Sequence, residues 1–337
     1  MNHRIAILSD IHGDTTALEA VIADARAQGA TEYWLLGDIL LPGPGRDDLF
    51  ELLDAIPITA AVRGNWDDCV LAALDGEYGL EDPQEIQLLR LTQYLMEGLD
   101  PKRIDWLRSL PLVEKKEVNG IRFSLTHNLP EKNYGGDLRP ANATENFDQL
   151  LDDQTDMAIY GHVHKQLLRY GSQGQQILNP GTIGMPYFDW EPIQNHRAQY
   201  ALIDVEEDGV TNLQFRKVAY DYEAELQDAK DKDLPFIEMY EELRREDNYR
   251  GHNIELLTSL IEKYGYTKAV AAYFNLSNES WVDLLCIQPI KKKRIFKMSA
   301  SFFTILGCKT LQALSFCVKI EVTEIEKEEA YEISRAQ

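Results

Sequence analysis

Short apolar runs alternate with helix-like segments through residues 4–74, and this alternation restricts the fold more than any other feature of the chain. Residues 4–8 form an apolar run typical of a buried strand, whereas residues 15–28 space their apolar side chains as an amphipathic helix does. The same pair of signals occurs twice more, with strands predicted at 33–36 and 58–62 and helices at 47–55 and 67–74. This βαβαβα order predicts an α/β layered fold.

Beyond residue 74 the pattern is first helical and then strand-like. Two helices are predicted at 83–98 and 101–111, and the second opens with a proline suited to a first helical position. A second sheet is implied by strand-like segments at 113–118, 121–125, 157–160, 166–170, 175–178, 200–205 and 213–218. From residue 222 the pattern is helical again, with charged segments at 222–232, 236–247, 253–264 and 268–274.

These changes divide the chain into an α/β domain over residues 1–221, a helical appendage over 222–285 and a C-terminal segment over 286–337. The C-terminal segment reverses its charge: residues 286–320 carry seven Lys and Arg and no acidic residue, and residues 321–337 carry six Glu. Because its basic part is rich in Phe and Leu, we expect it to pack on the helical appendage or between two copies of the chain. Nucleic acid or an anionic membrane is the alternative partner for the basic part.

The charge balance disfavours that alternative. The chain carries 34 Lys and Arg against 56 Asp and Glu, and a net charge of −22 repels phosphate backbones and so argues against non-specific nucleic-acid binding. The four cysteines have no spacing typical of a disulfide framework or a zinc ribbon. The N-terminal apolar run is too short for a signal peptide, and no later run reaches the ~20 apolar residues of a spanning helix. We therefore expect a cytoplasmic protein with no membrane partner.

Five short motifs come directly after predicted strands, where open α/β sheets place their ligand sites. Each motif alone is typical of a turn or a helix cap. Together, at five strand ends in one chain order, they suit two neighbouring metal ions, and the Asp38 carboxylate could bridge these ions because each of its oxygens can take one. The motifs are Asp10-Ile11-His12-Gly13, Gly37-Asp38, Gly64-Asn65-Trp66-Asp67, His127 and Gly161-His162-Val163-His164.

These motifs, with the turn Asn179-Pro180-Gly181-Thr182, resemble those of the calcineurin-like metallophosphoesterases over residues 4–218, closest to the small bacterial and archaeal phosphodiesterases. The resemblance implies a four-layer αββα sandwich with an appended C-terminal helical region. It also implies two metal ions and catalytic roles for three of the ligands, Asp38, Asn65 and His127. One ion would be held by Asp10, His12, Asp38 and His164, and the other by Asp38, Asn65, His127 and His162.

Phosphoester chemistry gives a physical reason for such a ligand set. Two cations about 3.5–4 Å apart can hold a bridging hydroxide in line with phosphorus and neutralise the phosphate oxygens. Carboxylate, amide and imidazole donors without a thiolate favour Mn²⁺, Fe or Zn²⁺. We therefore predict a dinuclear metal-dependent phosphoesterase that acts on phosphodiesters or small activated phosphoesters.

Three positions depart from the family pattern. Most members carry a histidine where this chain has Trp66, and an indole cannot protonate an alkoxide leaving group. The family commonly has glycine after the histidine that corresponds to His127, and here that residue is Asn128. The protein phosphatase branch usually has an arginine after its second motif, which residues 39–44 lack. The resemblance therefore favours a phosphodiesterase over a protein phosphatase.

Substrate contacts are predicted from the loops beside the motifs. Arg63, which precedes Gly64, is a candidate to bind a phosphate group, as are Lys132 and Arg139 in the loop after His127. Asn128, directly after His127, is a further candidate. His196 and Tyr187 are candidates to supply the proton that Trp66 cannot. The competing hypothesis is a non-catalytic protein-binding scaffold on the same fold, like the retromer subunit that resembles these enzymes. The complete ligand set favours the enzyme.

Overall fold

Two five-stranded sheets form the centre of the computed structural model, which describes residues 2–186, 195–246 and 248–276. The first sheet has the order β10 (Gly209–Val218), β9 (Ala198–Glu206), β1 (His3–Leu8), β2 (Glu32–Leu35) and β3 (Ile58–Ala61). The second has the order β4 (Val113–Val118), β5 (Ile121–Thr126), β6 (Met157–Tyr160), β8 (Gln176–Pro180) and β7 (Gln166–Tyr170). The predictions for Tyr187 and for residues 286–337 lie outside the described residues.

The placement of β9 and β10 differs from the prediction. Both strands were expected in the second sheet, but β9 pairs antiparallel with β1, and β10 pairs with β9. The first sheet is therefore mixed, because β1, β2 and β3 run parallel to one another. Strand signals in the sequence identify strands but not their partners, which explains the difference.

Ten helices are present in the described ranges. They are α1 (Thr15–Ala27), α2 (Asp47–Asp54), α3 (Asn65–Asp75), α4 (Pro83–Met96), α5 (Pro101–Ser109), α6 (Thr144–Asp148), α7 (Tyr222–Asp231), α8 (Ile237–Glu246), α9 (Ile254–Tyr264) and α10 (Tyr266–Phe274). Only α6 has no counterpart in the prediction, because its five residues are too few for a helical period to show. None of the described helices combines the length and apolarity needed to cross a membrane.

Side-chain alternation along the strands produces the layers. Ile5 and Ile7 of β1 face the second sheet, where Phe123 and Leu125 of β5 belong to the same buried cluster. The intervening residue Ala6 belongs instead to the cluster formed with the helices. On the far side of the second sheet, a third cluster joins residues of α6 and its loops to outward-facing strand residues. These layers confirm the predicted four-layer αββα sandwich.

The helical appendage shares its core with the α/β domain. Leu226, Leu257 and Val270 lie in the same buried cluster as Leu18 of α1 and Leu89 of α4. The chain up to Leu276 forms one compact unit. The C-terminal helices are thus present as predicted, and the domain boundary at residue 221 stays a prediction.

Candidate metal centre

The seven predicted metal ligands converge at one edge of the two sheets. Asp10 and His12 follow β1, Asp38 follows β2, and Asn65 is the first residue of α3 after β3. His127 follows β5, and the pair His162 and His164 follows β6. These strands are parallel within each sheet, so their carboxyl ends meet at the same edge and bring the loops together.

The ligand atoms form two groups. In the first, Asp10, His12 and His164 place one ligand atom each within 4.8 Å of one another. In the second, Asp38, His127 and His162 do the same. The Oδ2 atom of Asp38 lies 3.3 Å from His127 Nε2 in its own group and 3.6 Å from His12 Nε2 in the first group. Asp38 therefore stands between the two groups.

Asn65 belongs to the second group. Its Oδ1 atom lies 3.0 Å from His127 Nε2 and 2.9 Å from His162 Nδ1. Neutral amide oxygens bind hard cations beside carboxylates. The geometry is thus that of a four-residue set, Asp38, Asn65, His127 and His162.

Backbone carbonyls orient three of the imidazoles. The Nδ1 atoms of His12, His127 and His164 lie 2.7, 2.6 and 2.8 Å from the carbonyl oxygens of Leu41, Leu36 and Met185, respectively. When Nδ1 donates its proton to a carbonyl, Nε2 is left as a lone-pair donor. All three Nε2 atoms face the centre, and this arrangement is typical of metal-binding histidines.

A buried carboxylate oxygen of Asp10 indicates whether the site fits a cation. Asp10 Oδ1 is completely buried and receives no well-directed hydrogen bond, although His164 Nε2 lies 3.0 Å away and His12 Nε2 lies 3.8 Å away. A buried carboxylate oxygen without a donor is costly unless a cation binds it. Its neighbours are nitrogen donors of the kind that share a cation with carboxylates, so the residues fit a divalent metal ion.

Burial and charge set the protonation of the ligands. Burial lowers the pKa of His12 to about 4 and that of His162 to about 3. Burial also opposes the charged form of His127, but the carboxylates of Asp38 and Asp10 raise its pKa to about 10. The pKa of Asp10 is lowered, because three histidines outweigh the effect of its burial. Neutral imidazoles and ionised carboxylates are the forms that bind metal ions, so His127 would release a proton when a cation binds.

Backbone strain is concentrated at the ligands. Left-handed φ angles of +50° to +67° occur at Asp10, His12, Asp38, His162 and His164. Such a conformation costs of order 1–3 kcal/mol for a residue with a Cβ atom and persists only where the surrounding structure imposes it. Strain at five of seven ligands indicates that the loops are held in this form for the site that they build.

Asp67 supports the Asp38 loop from beneath. Its carboxylate accepts hydrogen bonds from the backbone N–H groups of Asp38 (2.9 Å), Ile39 (3.0 Å) and Gly64 (3.0 Å). Burial and the charge of Asp38 raise the pKa of Asp67 to about 7, against the effect of these donors. Gly64 is required here, since a Cβ atom would lie 2.1 Å from Asp38 Oδ1. The second and third motifs are therefore one structural unit.

We expect Asp67→Asn to weaken cation binding at the second group by about 10–100-fold, the usual effect of losing a partner that orients a ligand. The amide keeps one acceptor, so at least one of the three N–H groups loses its partner, at a cost of about 1–3 kcal/mol of folding stability. Metal titration and thermal unfolding of the purified variant measure both effects. Asp68→Asn on the same turn is the control, because Asp68 pairs with Arg63 near the surface. Equal behaviour of the two variants would contradict this role.

The Asn179-Pro180-Gly181-Thr182 turn supports ligands of both groups. Asn179 Nδ2 donates to the carbonyl of Gly161 (2.6 Å), directly before His162. Thr182 Oγ1 donates to the Asp10 carbonyl (2.9 Å) and accepts from Met185 N (3.0 Å). The resemblance identified this turn, but its role depends on contacts between distant segments that a sequence motif does not specify.

Trp66 packs between a ligand and the helical appendage. Its indole ring is 8% exposed and meets His12 edge-on at 5.9 Å between ring centroids. On its other side it meets Tyr249, which follows α8, at 6.1 Å. Its backbone N–H donates to Asp38 Oδ1 (2.8 Å). The residue in the usual acid position therefore contacts both metal groups.

The four predicted substrate residues lie on the surrounding loops. Arg63 pairs with Asp68 and donates to the Leu110 carbonyl (3.2 Å). Asn128 is buried and donates to the Gly135 carbonyl (3.0 Å), while Arg139 is exposed. His196 packs against Tyr222 with 4.8 Å between ring centroids. Their assignment to substrate binding stays a prediction.

The family model described as calcineurin-like phosphoesterase superfamily domain matches residues 3–208. An uncharacterized protein from Methanocaldococcus jannaschii is 26% identical in an alignment of 199 positions that covers 54% of this chain and 76% of that protein.

Two crystal structures share the fold. The metallophosphoesterase from Sphaerobacter thermophilus has a TM-score of 0.52 and 24% identity, covering 70% of this chain and 96% of its own. A hypothetical protein from Pyrococcus horikoshii has a TM-score of 0.56 and 21% identity, covering 69% of this chain and 94% of its own.

Proposed function

Because this chain belongs to the calcineurin-like phosphoesterase superfamily over residues 3–208, we propose that it hydrolyses phosphoesters with two divalent cations held side by side. One observation carries the proposal: Asp10, His12 and His164 face Asp38, His127 and His162 as two adjacent ligand groups, with Asp38 between them. When bound, the two cations would supply Lewis-acid activation of water and neutralise the charge of the phosphate group.

The chain's own residues position this chemistry. Asp38 Oδ2 faces histidines of both groups, so this carboxylate would contribute to both cation positions. Asn65 and His127 would hold the second cation, and the carbonyl of Leu36 keeps the His127 ring in place. Asp38 and His127 are buried, so bulk water would screen their attraction to a bound cation only weakly.

We propose small phosphodiesters or phosphoesters with good leaving groups as substrates. Trp66 has no acidic proton of suitable pKa, so an alkoxide leaving group would depart without help from this position. A leaving group that is stable as an anion needs no such proton. A preference of this kind would distinguish the chain from superfamily members with the usual histidine.

Chelation tests the proposal. We expect the purified full-length chain to bind two cations, to lose hydrolysis of a nitrophenyl phosphodiester in excess chelator, and to regain it with Mn²⁺. Metal analysis and a panel of phosphomonoesters, phosphodiesters and nucleotides measure the result. Full activity in excess chelator would exclude the metal-dependent reaction. A chain that binds no metal and hydrolyses none of the panel would favour the scaffold hypothesis.

A further inference from the structure

A buried arginine on α8 of the helical appendage contacts two chain segments next to the first ligand group. Arg244 is 2% exposed, and its Nη1 atom donates a hydrogen bond to the carbonyl of Gly184. Its Nη2 atom lies 3.0 Å from Oδ2 of Asp14, whose side chain is 1% exposed. A guanidinium is seldom buried this deeply unless its charge and its donors are needed where they lie.

The segment that Arg244 holds, residues 182–185, positions two metal ligands. The N–H group of Gly184 donates to the carbonyl of Asp10 (3.0 Å). The carbonyl of Met185 lies 2.8 Å from Nδ1 of His164 and so directs its Nε2 atom at Asp10. The packing is close, because a Cβ atom on Gly184 would lie 2.0 Å from the Ile11 carbonyl oxygen. A displaced Gly184 would therefore move ligands of the first group.

The other partner of Arg244 leads to the same group. Asp14 is the N-cap of α1, where it accepts from Ala17 N (2.8 Å), and it follows His12 by two residues. Tyr220 donates its hydroxyl to Asp14 Oδ2 (3.0 Å). Arg244 thus contacts both backbone segments that flank the first group.

A neighbouring buried carboxylate completes the connection between the appendage and α1. Glu225 of α7 is fully buried and accepts from the N–H group of Thr16 (3.1 Å). Tyr240 of α8 donates its hydroxyl to Glu225 (3.3 Å). The appendage is therefore joined to the start of α1 by polar contacts as well as by the shared apolar core.

Two members of the second ligand group, His127 and Asp38, have anchors of their own, whereas His162 donates its backbone N–H group to Asp10 Oδ2 (3.1 Å). His127 is oriented by the Leu36 carbonyl, and the Asp38 loop is held by Asp67. These contacts lie at the ends of β2 and β5 and at the start of α3, and none of them involves Arg244. A change at Arg244 should consequently act on the two groups unequally.

We propose that Arg244 is a positioning residue for the first cation. The helical appendage would thus help to set the geometry of the metal site. The inference rests on the proposed two-cation function. Arg244 acts through Gly184 and Asp14 on Asp10, His12 and His164, and its effect on the set of Asp38, Asn65, His127 and His162 is smaller.

The test is a Mn²⁺ titration of the metal-free full-length chain by calorimetry, with the magnetic coupling between two bound Mn²⁺ ions followed by electron paramagnetic resonance. In Arg244→Met we expect one cation to bind nearly as in the unaltered chain and the other to bind about 10–100-fold more weakly, with loss of the coupled signal. Arg244→Lys should restore part of the difference. Arg245→Gln is the matched control, because Arg245 pairs with Glu223 on the surface, and it should keep both cations.

Two results would overturn the inference. One is a folded Arg244→Met that binds both cations as tightly as the unaltered chain, and the other is equal weakening of both. If Arg244→Met does not fold, Arg244→Lys decides the question by the same two criteria. Failure of the unaltered chain to bind two cations would instead refute the proposed function itself, so the two failures are distinguishable.

Discussion

Asp38→Asn should reduce kcat/KM for a nitrophenyl phosphodiester by at least about 10²–10³-fold, the range for losing one preorganised electrostatic group. The reason is its position: Asp38 Oδ2 lies 3.3 Å from a histidine of one ligand group and 3.6 Å from a histidine of the other. The amide has the same size but no charge, so both cation positions lose the attraction of a negative charge at once. Steady-state kinetics and metal analysis of the same preparation measure the two consequences.

The control for this change is Asp54→Asn. Asp54 is on the surface of α2, where it pairs with Arg103, and an exposed pair contributes little to stability. This variant should keep both cations and its full rate. An Asp38→Asn protein with unaltered turnover, or with two tightly bound cations, would refute the two-group arrangement.

The succession of strands and helices along residues 4–74 and the five motif positions follow from local patterns. Residues 4–8 were predicted as a strand, and β1 covers His3–Leu8, because its apolar side chains are buried on both faces and so form an unbroken run. The motif residues occur at strand ends, and parallel strands bring their carboxyl ends together. A topology inferred from such signals is therefore enough to place Asp10 near Asp38.

Pairing between distant strands could not be predicted in this way. β9 reaches β1 across nearly 200 residues of chain, and its apolar pattern is compatible with either sheet. The left-handed φ angles at five ligands are likewise invisible in the sequence, since aspartate and histidine occur widely in ordinary conformations.

Arg244 shows what a weak sequence signal can and cannot reveal. Its contact with Gly184 spans 60 residues, so no local motif contains it. It follows Tyr240 by four positions and shares with Met239, Tyr240 and Leu243 the buried face of α8. That spacing places a charge on the apolar face of the helix, where a buried charge needs a partner. The spacing does not identify that partner.

Trp66→His should raise the hydrolysis of esters with poor leaving groups selectively. Trp66 lies in the first turn of α3, next to Asn65, and its ring edge faces the ring of His12. An imidazole at this position could donate a proton to a departing alkoxide, and positioned acid catalysis supplies up to about 10²–10⁴-fold. Nitrophenolate needs no proton, so its release should change little. A series of phosphodiesters of graded leaving-group pKa measures the effect.

Packing must be separated from acid catalysis in this experiment. Removal of the indole leaves space against Tyr249 and His12, and a cavity of this kind lowers stability whatever replaces the ring. Trp66→Phe also removes packing contacts but introduces no titratable group. The comparison of Trp66→His with Trp66→Phe therefore isolates the effect of proton donation on the rate. The ratio of their rates should rise as the leaving group becomes more basic.

The unaltered chain supplies the decisive comparison. Its rate should fall steeply as the leaving-group pKa rises, because the indole of Trp66 cannot offset the charge that develops on the departing oxygen. A rate that does not depend on leaving-group pKa would mean that another residue, such as His196, delivers the proton. The substrate preference proposed from Trp66 would then be wrong, while the cation site, which depends on other side chains, would stand.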